Sequence, residues 1–154
     1  MGKRRARFAS GVYDVINRKK YKNRKKLPRY RSSWERKFMV WCDHSDKVVS
    51  WDYENLEIPY RYSVDQKIHR YILDFMVDVI ENGKVVRYAI EVKPVDQLLP
   101  PERKKFRSKI KYVEAAKVYI QNRDKREATQ ALCRKKGWKY KAITEYDLFG
   151  QKKK

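Results

Sequence analysis

The sequence predicts an α/β domain of the α+β type, in which a mixed, mainly antiparallel sheet is flanked by helices. Two features indicate this class. The stretch ILDFMVDVIENGKVVRYAIEVKP, residues 72–94, contains two β-branched and aromatic runs joined by Asn82-Gly83, the strongest short-range signal for a β-hairpin. Segments with helical spacing of apolar residues lie before and after it, so the predicted order is αβββα(α)β.

The first helix is predicted to begin after Ser32, because Ser32 and Glu35 have the spacing of a capping box. Residues 47–62 alternate in polarity and predict one or two strand pieces, with Pro59 indicating an edge or a bulge. After a turn at SVDQK, IHRYILDFMVDV (residues 68–79) predicts one strand, and the strand after Asn82-Gly83 completes a three-stranded antiparallel meander that ends before Pro94.

The C-terminal half predicts helix followed by strand. One helix is expected at about 102–121 and another at about 124–136, where Gly137 provides a C-cap signal. Residues 138–144, WKYKAIT, predict a last short strand before a terminal helical turn. The apolar stripe of the first of these helices is expected to comprise Phe106, Ile110, Val113 and Tyr119 or Ile120.

The net charge of +21 on 154 residues predicts a polyanionic partner, and nucleic acid fits best. Residues 1–30 contribute +11, so we expect a basic, flexible N-terminal arm, a folded domain at 31–149 and a basic tail at 150–154. Two interpretations are open for three aromatic residues of the arm, stacking on bases or packing onto the domain: Tyr13, Tyr21 and Tyr30.

Several classes of protein are disfavoured by composition. No segment approaches the roughly 18 apolar residues of a membrane span, the basic runs lack an apolar face, and the N-terminus lacks the apolar core of a secretory signal. Cys42 and Cys133 lack metal-ligand spacing and are expected to be buried, reduced thiols. The sequence contains only two histidines, His44 and His69, which disfavours a zinc cluster or a Ser-His-Asp site.

The hairpin places charged residues opposite one another. If Asn82-Gly83 is the turn, Asp78 faces Arg87 and Asp74 faces Glu91. Two carboxylates about 5 Å apart repel by about 3 kcal/mol at an effective dielectric constant near 20. A hard divalent cation such as Mg²⁺ would offset this repulsion. The acids could instead face solvent on an open sheet, or Lys93 could neutralise them in a structural ion cluster.

These motifs resemble the PD-(D/E)XK, or restriction-endonuclease-like, nuclease superfamily, which has an acid on the second core strand and E-x-K on the third. Longer stretches are similar to the head-completion nucleases of T4-like tailed phages, over roughly residues 30–148. They are RSSWERKFMVWCD, IPYRYSVDQKIHRYILDF, YAIEVKP, LLPP and KKGWKYKAITE. Leu73 stands where the superfamily has the proline before its aspartate.

The resemblance implies an active site. Asp74, Glu91 and the backbone carbonyl of Val92 would bind Mg²⁺, for which Mn²⁺ could substitute, and Lys93 would orient or activate the attacking water. Glu35 matches the first-helix acid that completes the metal site in some members, although a capping-box glutamate needs no catalytic role.

Further residues are candidates for binding DNA. Arg70 shares the strand face of Asp74, and His69 lies on the opposite face, if the strand is regular that far. Arg70 could bind a phosphate or be an ordinary exposed strand charge, and His69 is expected to be structural or a phosphate contact. Tyr60 and Gln121 are candidates at the rim of the site, on resemblance alone. Basic residues that could follow a DNA backbone, or simply form a solvated helix face, are Lys104, Lys105, Arg107, Lys109 and Lys111.

The resemblance implies a Mg²⁺-dependent deoxyribonuclease, expected to be an endonuclease, that acts in phage head completion and the maturation of packaged DNA. DNA is the expected partner, with phage portal, neck or capsid proteins as further partners and no membrane. Its expected location is the host cytoplasm during assembly, or the virion. Alternatives are a virion structural protein with little or no turnover, a junction-resolving or repair endonuclease, and a basic binding module without chemistry.

Overall fold

A computed structural model describes residues 10–150, which form three helices and eight strands, four of them in one sheet. In chain order the strands are β1 (Gly11–Val12), β2 (Arg29–Tyr30), β3 (Val48–Tyr53), β4 (Glu57–Tyr62), β5 (Lys67–Ile72), β6 (Phe75–Glu81), β7 (Lys84–Val92) and β8 (Lys139–Ile143). The helices are α1 (Ser33–His44), α2 (Lys109–Lys136) and α3 (Glu145–Phe149). None of the helices in the described part of the chain is long and apolar enough to cross a membrane.

The predicted hairpin is formed by β6 and β7. Asn82 and Gly83 have φ angles of 52° and 76°, and two such left-handed residues match the right-handed twist of the flanking strands. Asp78 is the partner of Arg87 in this register, and Arg87 Nε donates to Asp78 Oδ1 at 2.9 Å. The predicted register is therefore confirmed.

The four-stranded sheet has the order β3-β6-β7-β8. β3 is antiparallel to β6, β6 is antiparallel to β7, and β8 is parallel to β7. Helix α2 connects the two parallel strands, which cannot be joined by a tight turn. A mixed, mainly antiparallel sheet flanked by helices is thus confirmed.

The segment before the hairpin differs from the prediction, because one expected strand is two. β5 ends at Ile72 and forms a separate two-stranded hairpin with β4, while β6 starts at Phe75 in the main sheet. At the break, the N–H of the buried Leu73 donates to the carbonyl of Leu56, and the Asp74 carbonyl accepts from the Glu54 N–H. The β4-β5 hairpin is therefore an excursion from the main sheet.

The two helices predicted after the sheet are one continuous helix, α2. Ser108 caps its start by accepting from the Lys111 N–H, and Gly137, with φ of 75°, ends it. No glycine or proline interrupts the 28 residues between these caps, so the ladder continues past residue 122. The preceding segment contains only two short 3-10 turns, Val95–Leu98 and Arg103–Lys105.

The predicted apolar stripe on this helix is wrong in its N-terminal half. Ile110 and Val113 are 73% and 39% exposed, and the buried positions of α2 are Asp124, Thr129 and Cys133. All three lie in the second half of α2, where Cys133 belongs to the core that contains Met76 and Ala89. The second half of α2 therefore supplies the packing of the helix on the sheet.

The sheet carries a hydrophobic core on each face, because successive side chains of β6 point to opposite sides. Against α1, buried residues include Phe38, Met39, Cys42, Phe75 and Val77. Against α2 and the β4-β5 hairpin, they are Ile58, Leu73, Met76, Ala89 and Cys133. Both cysteines are buried free thiols, as predicted.

Residues 10–30 differ from the flexible arm that the charge predicts. The Tyr13 hydroxyl donates to Asp43 Oδ2 at 2.7 Å, and the buried Tyr21 ring packs edge-on against Trp51 with centroids 4.8 Å apart. Two backbone hydrogen bonds join the segment to Trp51. The Lys22 N–H donates to the Trp51 carbonyl, and the Trp51 N–H donates to the Lys20 carbonyl. These contacts outweigh charge repulsion because they bury aromatic rings. Residues 1–9 and 151–154, predicted as parts of the basic arm and tail, lie outside the described residues.

Candidate active site

Asp74, Glu91 and Lys93 line one small cleft of about 160 Å³. The cleft lies where β5 passes into β6, at the end of β7 and beside the middle of α2. The two acids are thus together, as the hairpin register predicts. The remaining lining residues are Tyr71, Ile72, Leu73, Asn122 and Lys125.

Asp74 is held at the start of β6 by the neighbouring strand. Its Oδ2 accepts a hydrogen bond from the Val92 N–H at 3.2 Å. Burial above all, and then the charges of Glu35 and Glu91, raise the pKa of Asp74 from 3.8 to about 7, against the Val92 N–H and Lys93. The charged form of Asp74 is therefore disfavoured mainly because it is buried.

Glu91 is positioned by three side chains. Its Oε1 accepts from the Tyr140 hydroxyl of β8 and lies 3.5 Å from Arg126 Nε of α2. Its Oε2 lies 3.7 Å from Lys93 Nζ, and the side chains of Glu91 and Lys93 are each 19% exposed. Tyr140 and Arg126 thus orient Glu91 through Oε1, while Oε2 faces Lys93 in the cleft.

Lys93 is fixed through its backbone as well. Its N–H donates to the Ile143 carbonyl at 2.9 Å, which extends the parallel ladder between β7 and β8 by one residue. Pro94 follows at once and cannot continue such a ladder, so the chain leaves the sheet there. The ammonium is therefore held near Glu91 by a rigid strand end.

Glu35 has the predicted position at the start of α1 but does not line the cleft. Its N–H donates to the Ser32 hydroxyl at 3.1 Å, and its Oε1 accepts from the Arg31 N–H at 2.6 Å. Burial raises the pKa of Glu35 despite this N–H donor. A helix-capping role is present, and its charge reaches the site, since it raises the pKa of Asp74.

The metal prediction can be compared with the donors present. Among residues 10–150, no three His, Cys, Asp or Glu side chains lie close enough together to hold an ion. Mg²⁺, however, is typically bound by one or two carboxylates, with water and substrate phosphate completing its octahedron. Asp74 and Glu91 supply such oxygens, and burial and the neighbouring acids raise the pKa of Asp74, a cost that a bound cation would offset. The residues present fit a magnesium ion.

The predicted DNA contacts on β5 are not at the cleft. Arg70 forms an ion pair with Glu57 at 2.9 Å, and both side chains are largely exposed. His69 Nε2 lies 2.7 Å from Asp65 Oδ2, and its ring stacks on Tyr60. The prediction that Arg70 shares a strand face with Asp74 assumed one continuous strand, which the break before β6 excludes.

Tyr60 and Gln121, predicted at the rim of the site, contact each other. The Gln121 amide donates to the Tyr60 hydroxyl at 2.7 Å, which joins β4 to α2. Neither residue lines the cleft. Their contact is a brace between the excursion and the helix that covers the site.

The predicted basic row on the second helix is divided by the actual helix start. Lys104 and Lys105 lie in a 3-10 turn, are 81% and 69% exposed, and pair with Glu102. Arg107 lies between that turn and α2, while Lys109 and Lys111 form its first turn. These cations face solvent, and whether they bind DNA stays a prediction.

Several residues around the site were missed by sequence reasoning. Asn122 and Lys125 of α2 and Tyr71 of β5 line the cleft, and Arg126 and Tyr140 hold Glu91. Nothing marks them in the sequence, because α2 is basic along its length and tyrosine is abundant. Their helical spacing does place Asn122, Lys125 and Arg126 on one side of α2.

Two comparisons with known proteins agree with this geometry. The family model described as "TnsA-like endonuclease N terminal" matches residues 45–145, which include β3 to β8. The chain is also 30% identical over 142 residues to the head completion nuclease of Enterobacteria phage T4, covering 90% of this chain and 93% of that protein. The chain therefore belongs to the TnsA-like endonuclease family of restriction-endonuclease-like nucleases and is related to head completion nuclease.

Proposed function

We propose that this protein is a Mg²⁺-dependent DNA endonuclease. The observation that carries the proposal is the cleft in which Asp74, Glu91 and Lys93 meet on the ends of two hydrogen-bonded strands. Two acids and an amine are the groups that metal-assisted hydrolysis of a phosphodiester needs, and no histidine lines the cleft. The net charge of +21 supports DNA as the substrate.

The mechanism follows from the roles these side chains can take. Asp74 and Glu91 would hold the ion, with the Val92 carbonyl as a further oxygen ligand, and Glu35 would add negative charge nearby. When bound, Mg²⁺ supplies Lewis acidity and lowers the pKa of water. Lys93, 3.7 Å from Glu91 Oε2, stabilises negative charge that develops on the phosphate and orients the attacking water. Hydrolysis is expected to leave 5′-phosphate and 3′-hydroxyl ends.

We further propose a role in the completion of phage heads, because the T4 relative is named for that step and matches nearly the whole chain. The protein would then act on packaged DNA in the cytoplasm of the host cell, with portal, neck or capsid proteins as partners. The same place in assembly would suit a structural protein with little turnover, and the cleavage experiment separates the two.

Supercoiled, linear, branched and single-stranded DNA would be incubated with the protein in Mg²⁺ or EDTA. The wild type should nick or linearise supercoiled DNA only with Mg²⁺. Asp74→Ala and Lys93→Ala should each lose at least about 10²-fold in rate, because each removes a group that acts on the transition state. Lys117→Ala, an exposed lysine of α2, is the control for lost charge.

Each other result has a definite meaning. Equal cleavage by Asp74→Ala, Lys93→Ala and wild type would remove the catalytic assignment. No cleavage of any substrate would favour the structural role, and cleavage of branched DNA alone would indicate junction resolution. Activity that survives EDTA unchanged would exclude the metal dependence.

A further inference from the structure

A second lysine faces the cleft from the side opposite the sheet. Lys125 of α2 lines it together with Asp74, Glu91 and Lys93. We propose that the Lys125 ammonium binds the scissile phosphate, so that the substrate is held between two lysines, one directly after β7 and one on α2. This inference rests on the proposed nuclease function and assigns the binding of its substrate.

The position of Lys125 is fixed by its surroundings. Its Nζ lies 5.5 Å from the centre of the Tyr71 ring and 5.8 Å from that of Tyr60, within the range of cation-π attraction. Its carbonyl accepts from the Tyr71 hydroxyl at 3.2 Å and from the Thr129 hydroxyl at 2.8 Å. The side chain and the backbone are thus both held against β5, on the excursion that leads directly into Asp74.

The charge of Lys125 is not neutralised within the site. Among the ion pairs of residues 10–150, none includes it. Glu91 is already paired with Lys93 and Arg126. Burial lowers the pKa of Lys125 and so does Lys93, while Glu91 and Asp74 act in the opposite direction. Burying an ammonium group without a paired anion costs free energy, and a bound anion would offset that cost.

The charges around the cleft leave room for one further anion. Lys93 and Arg126 are both paired with Glu91, whereas Lys125 lines the cleft without an ion-pair partner among residues 10–150. A phosphodiester carries one negative charge, which matches this single unpaired ammonium. A phosphate between β7 and α2 would therefore supply the missing partner of Lys125 and receive charge stabilisation from both sides.

The alternative is that Lys125 only packs between two tyrosine rings. Lys125→Met keeps most of the apolar stem and removes the charge, and Lys117→Met removes the same charge from an exposed position two turns earlier on α2. Single-turnover cleavage of a short DNA duplex in Mg²⁺ gives the rate. Binding of the same duplex in Ca²⁺, measured at several salt concentrations, gives the number of phosphate contacts without depending on turnover.

We expect Lys125→Met to cleave at least about 10²-fold more slowly than wild type, with Lys117→Met within about twofold. The slope of log K against log salt should fall by about one contact in Lys125→Met and stay unchanged in Lys117→Met. Both variants should keep the wild-type midpoint of urea unfolding or exceed it. If Lys125 only packs between the tyrosine rings, Lys125→Met should instead lower the unfolding midpoint and leave the salt slope as it is.

The charge can also be returned chemically. Cys42 and Cys133 are buried, so in Lys125→Cys the introduced thiol is the accessible one among residues 10–150. Aminoethylation with 2-bromoethylamine restores an ammonium of nearly the lysine length there and should recover at least about tenfold in rate. Lys117→Cys, treated in the same way, should not change.

The outcomes separate this inference from the proposed function. If the wild type cleaves and Lys125→Met cleaves and binds equally well, Lys125 does not bind the phosphate, while the nuclease assignment stands. If the wild type cleaves nothing, the nuclease assignment fails, and the salt slopes in Ca²⁺ still decide whether Lys125 contacts a phosphate. Loss of cleavage without rescue by aminoethylation would also overturn the inference.

Discussion

Replacing Asp74 by asparagine should stabilise the metal-free protein. The Asp74 carboxylate is partly buried beside Glu91 and within reach of the charge of Glu35, and its pKa is raised from 3.8 to about 7. Between these two pH values the folded protein binds a proton that the unfolded chain has released. The free energy of unfolding therefore falls as the pH rises through this window, and the full cost is present above pH 7.

The magnitude follows from the shift. A pKa raised from 3.8 to about 7 corresponds to a loss of about 4 kcal/mol in the free energy of unfolding, since a shift of one pKa unit is worth about 1.4 kcal/mol. Water in the cleft screens part of it, so we expect Asp74→Asn to gain about 2–4 kcal/mol at pH 8. The asparagine oxygen can still accept from the Val92 N–H, so little else is lost. At pH 4.5 the gain should shrink to about 1 kcal/mol or less.

Urea unfolding in EDTA at pH 8 and pH 4.5 measures both values, with Asp96→Asn as a control at an exposed carboxylate. Mg²⁺ at about 100 times its dissociation constant should then stabilise the wild type by about 2.7 kcal/mol and Asp74→Asn by much less. The reasoning fails if Asp74→Asn is no more stable than wild type at pH 8, or if its gain is the same at both pH values.

Three further predictions concern other contacts. Tyr140→Phe removes the hydroxyl that holds Glu91 and should lower cleavage about 10–100-fold with little change in DNA affinity, which single-turnover and binding assays would show. Asp43→Ala leaves the Tyr13 hydroxyl and two backbone donors unpaired and should cost about 3 kcal/mol in urea unfolding; an unchanged midpoint would mean that residues 10–30 do not stabilise the domain. If six to ten phosphates are contacted, DNA affinity should fall about 10³–10⁵-fold between 50 and 200 mM salt, and a shallow slope would exclude so wide a contact.

The hairpin that carries the site was predictable because its signals are local. Asn82-Gly83 favours one turn type, and that turn sets the partners of every residue in the two strands. The opposite charges of Asp78 and Arg87 agree with the same register. The meeting of Asp74 with Glu91 follows from these short-range facts, without knowledge of the rest of the fold.

The break before β6 and the length of α2 could not be read in this way. Residues 67–81 have continuous β-branched and aromatic character, so the sequence predicts one strand there. The strand breaks because Leu73 and Asp74 form backbone hydrogen bonds with Leu56 and Glu54, which are distant in sequence. The length of α2 likewise depends on the elements that the helix packs against, which the local sequence does not reveal. Its basic residues look alike in sequence, so only the tertiary fold distinguishes Lys125, which lines the cleft, and Arg126, which pairs with Glu91.

At the N-terminus, the packing of residues 10–30 differs from what their charge predicts. Twelve basic residues among the first thirty predict a flexible arm, but the burial of Tyr13 and Tyr21 and the hydrogen bonds to Asp43 hold residues 10–30 against α1 and β3. Net charge describes long-range interactions, which are screened by salt over about 8–10 Å. Hydrogen bonds and ring contacts act at shorter range and are not visible in a charge count.

The excursion through β4 and β5 explains how an unfavourable acid is retained. The β4-β5 ladder ends before Asp74, which therefore has no facing partner in β4, and the excursion brings Tyr71 and Tyr60 up to Lys125. The same segment therefore leaves the acid available to the proposed Mg²⁺ and fixes the lysine that would meet the phosphate. The two hydrophobic cores flanking the sheet supply the stability that offsets the burial of this carboxylate.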